Sequence, residues 1–84
     1  MRLVLPVIYC KEESCYKLDG NIPLLPSDYI IKYVIFYTID VIEPIINIDD
    51  QCIVTSSGSE FRINMPMGQL DSLIRKQRYY LISN

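Results

Sequence analysis

Four carboxylates, Asp40, Glu43, Asp49 and Asp50, lie close together in the chain, and three thiols, Cys10, Cys15 and Cys52, are spread over its first two thirds. Clustered carboxylates can hold a divalent cation or act as a general acid and base. Here Asp49-Asp50-Gln51 lacks the Asp-x-Asp-x-Asp-Gly spacing of a calcium loop, so the expected state is a solvated polar loop. A patch that docks on a basic protein surface asks less of geometry, because charge complementarity steers encounter without fixed distances. The chain has no His, which removes the commonest general base, proton shuttle and metal ligand and excludes Ser-His-Asp and Cys-His nucleophiles. Zinc needs four ligands, for which three Cys without His are a poor set. Gly20, Gly58 and Gly68 are too far apart to form a phosphate loop. The expectation is a protein without metal, cofactor or catalytic site.

A second set, Arg75, Lys76, Arg78, Tyr79 and Tyr80, mixes cations and aromatics as a single-strand nucleic-acid site does. The same cations also suit the last turn of a helix, where the macrodipole favours positive charge, and paired Tyr commonly pack. With a net charge of -2, nucleic acid is not the default partner. The charge is uneven. No basic residue occurs between Lys32 and Arg62, and no acid follows Asp71. Tyr33 and Tyr37 are candidate anchors for a protein interface, a setting in which Tyr is enriched.

An odd number of Cys and no secretory signal pattern lead us to expect free thiols in the cytoplasm, with the thiols serving as small apolar filler in a core. The longest apolar stretch, Tyr29 to Ile46, is broken by Lys32, Asp40, Glu43 and Pro44 and fails as a membrane span. The chain lacks Ala, His and Trp yet has 14 Ile, a bias that fits an AT-rich gene of the kind found in many phages, mobile elements and low-GC bacteria.

The elements that must position these residues are short. Eighty-four residues, half of them apolar, suit one folded domain. Arg2 to Tyr9 reads as a strand, and Pro6 places it at a sheet edge or bulge because proline cannot donate to a ladder. Lys11 to Glu13 is a polar turn and Cys15 to Leu18 a short strand, followed by the turn signal Asp19-Gly20-Asn21. Tyr29 to Ile42 is rich in Ile, Val, Tyr and Phe and reads as one long central strand with two apolar faces. The helix can cover only one, which leaves the other for an interface. Pro44 ends that strand, and Asn47 to Gln51 is an acidic loop. Cys52 to Ser56 and Glu60 to Asn64 flank Ser57-Gly58 as a hairpin, with Phe61 and Ile63 on the buried side. Pro66 opens a helix whose Met67, Leu70, Leu73 and Ile74 recur at helical spacing, with Asp71 and Arg75 as an i,i+4 pair. Tyr79 to Ile82 reads as a closing strand.

The run from Thr38 to Lys76 resembles the small bacterial flagellar FlbD (swarming motility) proteins, in which a hairpin with a Gly-containing turn precedes a helix with spaced aliphatics. The matching residues are Ile39, Ile42, Cys52, Ile53, Val54, Gly58, Phe61, Ile63, Leu70, Leu73 and Ile74. The resemblance covers under half of the chain and implies the hairpin and helix. Asn64, Met65 and Pro66 replace the family's charged flanks.

The expected fold is therefore α+β, a small antiparallel sheet of four or five short strands with one C-terminal helix packed on it by Met67, Leu70, Leu73 and Ile74. The expected role is that of a small acidic protein-binding module, an inhibitor or regulator that occludes a host protein or toxin surface. Tyr33 and Tyr37 would bury area while Asp40, Glu43, Asp49 and Asp50 steer. Self-association through the uncovered sheet face is compatible with this. The alternative is a nucleic-acid-binding regulator using the basic C-terminal segment.

Overall fold

The computed structural model describes residues 1–83, with side chains through residue 77. Five strands form one antiparallel sheet: β1 (Leu3–Cys10), β2 (Tyr29–Phe36), β3 (Val41–Ile45), β4 (Ile48–Ser56) and β5 (Ser59–Ile63), in the order β2-β1-β5-β4-β3. A four-residue helix α1 (Tyr16–Asp19) lies between β1 and β2, and the long helix α2 (Met67–Ser83) follows β5. The protein is thus a small α+β fold, as composition and periodicity imply.

Side chains alternate across the sheet with period two, and the apolar positions of one parity make the core. Leu3, Leu5 and Val7 of β1, Phe36 of β2, Cys52 and Val54 of β4 and Ile63 of β5 meet Leu70 and Ile74 of α2. Phe36 and Phe61 pack edge to face at 5.1 Å between ring centres. α2 therefore covers one face of the sheet and leaves the other bare. Met67 is 41% exposed and does not share in this packing, contrary to the helical-spacing expectation; Met65, just ahead of the helix, packs against the core instead.

The β4–β5 hairpin closes where expected. Ser57 (φ 50) and Gly58 (φ 84) both adopt the left-handed region, as a two-residue turn matched to the strand twist requires. A Cβ at position 58 would meet no neighbouring atom, so only backbone strain opposes it. Gly58→Ala is expected to cost about 1 kcal/mol, lowering the urea midpoint by about 1 M at a typical slope for so small a domain. An unchanged midpoint would mean that this turn is not strained as described.

Several sequence expectations are corrected. Tyr29 to Ile42 is not one strand and is not central: β2 stops at Phe36 and is an edge strand, and β3 starts at Val41 at the opposite edge. The crossing between them is fixed by groups that apolar composition conceals. The Ser56 hydroxyl donates to the Thr38 carbonyl (2.6 Å), the Asp40 amide to the Thr55 carbonyl (2.8 Å), and the Ser57 amide to the Asp40 carboxylate (3.0 Å).

β1, given to an edge on account of Pro6, is interior. Its proline is tolerated because β5 pairs with β1 only at Val7↔Ile63 and Ile8↔Arg62, beyond which the Asn64 amide donates to the Pro6 carbonyl (2.8 Å). No ladder bond is asked of the missing N–H. Pro44 lies inside β3 rather than after it, on an edge strand and beside a register shift. Asn47 to Gln51 is not a loop: Ile46 and Asn47 (φ 64) form a tight turn, and β4 begins at Ile48.

Cys15 to Leu18 is not a strand either. A 3-10 turn over Glu12–Ser14 leads into α1, because Lys11 and Cys15 carbonyls accept from Ser14 and Leu18 amides. α2 takes in the stretch Tyr79 to Ile82 that reads as a closing strand, since neither Gly nor Pro interrupts the chain after Gly68.

Candidate functional site

Strand register decides which side chains share the face that α2 leaves bare. One row across it runs Glu43, Ile53, Arg62, Ile8 and Ile31, through all five strands. A second pairs Pro6 with Tyr33 and a third Val4 with Ile35. On β1 and β2 this face is therefore apolar, and it is open to solvent: Val4 is 53% exposed, Ile31 46% and Tyr33 75%. On β3, β4 and β5 it carries Glu43, Gln51, Thr55, Glu60 and Arg62 among Val41 and Ile53.

Arg62 sits near the middle of the face, a position no feature of the sequence marks beyond its alternation with Phe61 and Ile63. Its Nε donates to Gln51 Oε1 (2.7 Å), and the guanidinium lies 5.9 Å from the centre of the Tyr29 ring. Stacking and hydrogen bonding of this kind hold an Arg in place at a surface. A depression of about 340 Å³ beside it is lined by Ile8, Pro26, Tyr29, Ile31, Gln51 and Asn64. Its lining carries one fixed cation, Arg62, among apolar and neutral polar side chains.

The residues singled out from sequence are divided between the two edges. Tyr33 projects from the open face of β2, and Tyr37, also exposed, lies just past its end. Glu43 belongs to the other edge, on β3, while Asp49 and Asp50 lie in β4 at the register shift opposite Pro44 and Ile45. Asp40 immediately precedes β3, at the far end from that turn, with its carboxylate engaged by the Ser57 amide. The four acids thus do not form one cluster, and among the described residues no group of three metal-ligating side chains occurs. Arg75 is exposed and pairs with Asp71 (3.0 Å) as the spacing implies, and Lys76 is exposed on α2. The side chains of Arg78, Tyr79 and Tyr80 lie outside the described residues.

All three thiols are free. Cys52 is core filler as expected, and burial pushes its thiol up. Cys15 is exposed, which corrects that expectation for this residue; its sulfur lies 3.3 Å from the Lys11 carbonyl. Desolvation, followed by the neighbouring Cys15 side chain, raises Cys10.

One buried charged group stood out in no sequence pattern. Asp28 accepts from Lys17 Nζ (2.8 Å), the Leu25 amide (2.7 Å) and Ser14 Oγ (2.7 Å). The Lys17 ammonium first, and then the Leu25 and Ser14 donors, hold its carboxyl far below the usual carboxylate range. This clamp gathers the excursion between β1 and β2 against the start of β2 and so sets Tyr29 beside Arg62. Among the described residues no helix is long and apolar enough to cross a membrane.

Comparison with protein-family models, with curated proteins and with solved structures finds no match for this chain. The class rests on architecture: an open five-stranded antiparallel sheet with a helix on one face.

Proposed function

We propose that this chain is a non-enzymatic protein-binding module, an acidic inhibitor or regulator that occupies a surface of another protein. The observation that carries the reading is the uncovered sheet face, where Val4, Ile31, Tyr33 and Ile35 are adjacent by register and each is at least two-fifths exposed. An apolar patch of this kind on a small domain marks an interaction site. Tyr33 supplies rigid contact area, and the exposed Glu43, Asp49, Asp50 and Glu60 towards the other edge favour a partner with a basic surface. Occlusion of that surface is the mechanism.

Photo-crosslinking tests it. A crosslinking residue in place of Tyr33 is expected to capture one protein other than a second copy of this chain from a native lysate, and the same residue in place of the exposed Ser72 on α2 to capture none. Val4→Lys puts an unpaired charge into the patch without touching the core and should cut the yield from position 33 at least tenfold, to the order of one buried hot spot. Equal capture from both positions, or full capture by the Val4→Lys protein, would overturn the reading.

A further inference from the structure

The two edges of the sheet are finished differently. β3 is short, carries Pro44 and Glu43 and ends in a register shift, all devices that keep one sheet from adding to another. β2 has none of them. It is eight residues long, free of Pro and Gly, and five of its side chains or their immediate successor are exposed and apolar: Ile30, Ile31, Tyr33, Ile35 and Tyr37. Its single charge does not guard the edge, because Lys32 Nζ turns back over the Tyr9 ring of β1 at 5.7 Å.

The direction of its free hydrogen-bonding groups follows from two bonds. The Pro6 carbonyl accepts from Asn64 and so faces β5, which makes Pro6↔Tyr33 a pair without hydrogen bonds between β1 and β2. The Lys11 amide donates to the Asp28 carbonyl (2.7 Å), which sets the even-numbered residues of this ladder towards β1. Hence the N–H and C=O groups of Tyr29, Ile31, Tyr33 and Ile35 all point to the open edge.

We infer that β2 pairs edge to edge with β2 of a second copy, antiparallel about a two-fold axis at Tyr33, to give a ten-stranded sheet. Such an axis keeps each face on its own side, so opposed residues must share parity. With Tyr33 opposite Tyr33, Ile31 meets Ile35 and Lys32 meets Val34. Each opposed pair of outward-pointing residues exchanges two bonds, about six in all. Moving the axis to Lys32 would place two ammonium groups face to face, which is unfavourable.

A second copy is the occupant that fits this edge without further assumption, since in this register the outward residues Ile31, Tyr33 and Ile35 meet only their own kind and the two Lys32 are not opposed. The inference concerns the backbone edge and stands apart from the reading of the sheet face.

Light scattering behind size exclusion at about 100 μM is expected to give twice the monomer mass. Tyr33→Pro removes an amide that serves only the outer edge, and should give a folded monomer, with strand circular dichroism and a cooperative melt retained. The double variant Ile31→Lys/Ile35→Lys, at two exposed positions, should do the same by repulsion across the axis and covers the case in which the proline variant fails to fold. In a mixed-label sample, a filtered NOE between Lys32 Hα and the partner subunit's Val34 Hα is expected. A monomeric parent, a double variant that stays dimeric, or inter-chain contacts from another surface would overturn the inference, while leaving the crosslinking result at the face unaffected.

Discussion

Replacing Leu70 by Ala is expected to remove about 3 kcal/mol of stability, within the range for emptying a buried Leu site. Leu70 has no solvent exposure and closes the core over Leu5, Val7, Cys52, Val54 and Ile63. α2 touches the sheet mainly through β3 and β4, so few other residues share the task of docking it. A domain of this length has a total stability of about 8 kcal/mol, and the loss is then more than a third of it. Met67→Ala, at a position suggested by the same periodicity but 41% exposed, should change stability by less than about 0.5 kcal/mol. Urea titrations of the two variants check this. Equal losses would mean that α2 lies rotated from the orientation described.

The second large effect concerns Asp28. Its carboxyl is held well below its ordinary value by Lys17 first, then by the Leu25 amide and Ser14. A group whose pKa falls on folding stabilises the folded state above its unfolded value, about 3.9, and loses that contribution as pH drops towards the folded value. Asp28→Asn keeps the shape but removes the charge and strands Lys17, whose side chain is only 16% exposed. The variant should melt about 5–10 °C below the parent at pH 7. The gap should be flat between pH 5 and pH 7 and should narrow below about pH 4, where the carboxylate of the unfolded parent takes up its proton while the folded one stays ionised. A gap that ignores pH would show that the clamp acts by packing rather than by charge.

What was legible in the sequence was what local chemistry decides. Ser57-Gly58 between alternating strands gave the hairpin, and Leu70, Leu73 and Ile74 gave the helix and the face it buries, because turn geometry and helical period need no distant partner. The apolar run from Tyr29 to Ile42 concealed a chain reversal of sheet position, for the groups that hold it, Ser56, Ser57 and Thr55, come from another hairpin. Pro6 misled for a related reason: whether a missing N–H matters depends on where β5 stops. The candidate surface was half legible. Tyr33 and the presence of a second apolar face followed from composition, whereas the central place of Arg62 and the division of Tyr33 from Glu43, Asp49 and Asp50 depend on strand order, which sequence periodicity does not encode. Asp28 is marked by no sequence pattern because its three donors become neighbours only when residues 11–28 fold back on themselves.

The ladder between β1 and β5 runs over two opposed pairs, whereas β1 with β2 and β4 with β5 are paired along most of their length. Backbone cooperativity is therefore broken along that line. The β3–β4–β5 meander is built from contacts close in sequence and can assemble early, while the β1–β2 ribbon must close a longer excursion and then join it through Val7 and Ile8 with Ile63 and Arg62, contacts far apart in sequence and slow to form. The same line is where sub-global opening is expected to begin in the native state, and hydrogen exchange should then show amides of the ribbon and of the meander exchanging as separate units. Ile8 and Arg62 stand on either side of it, so a protein lying across the bare face would bridge both units and slow their parting.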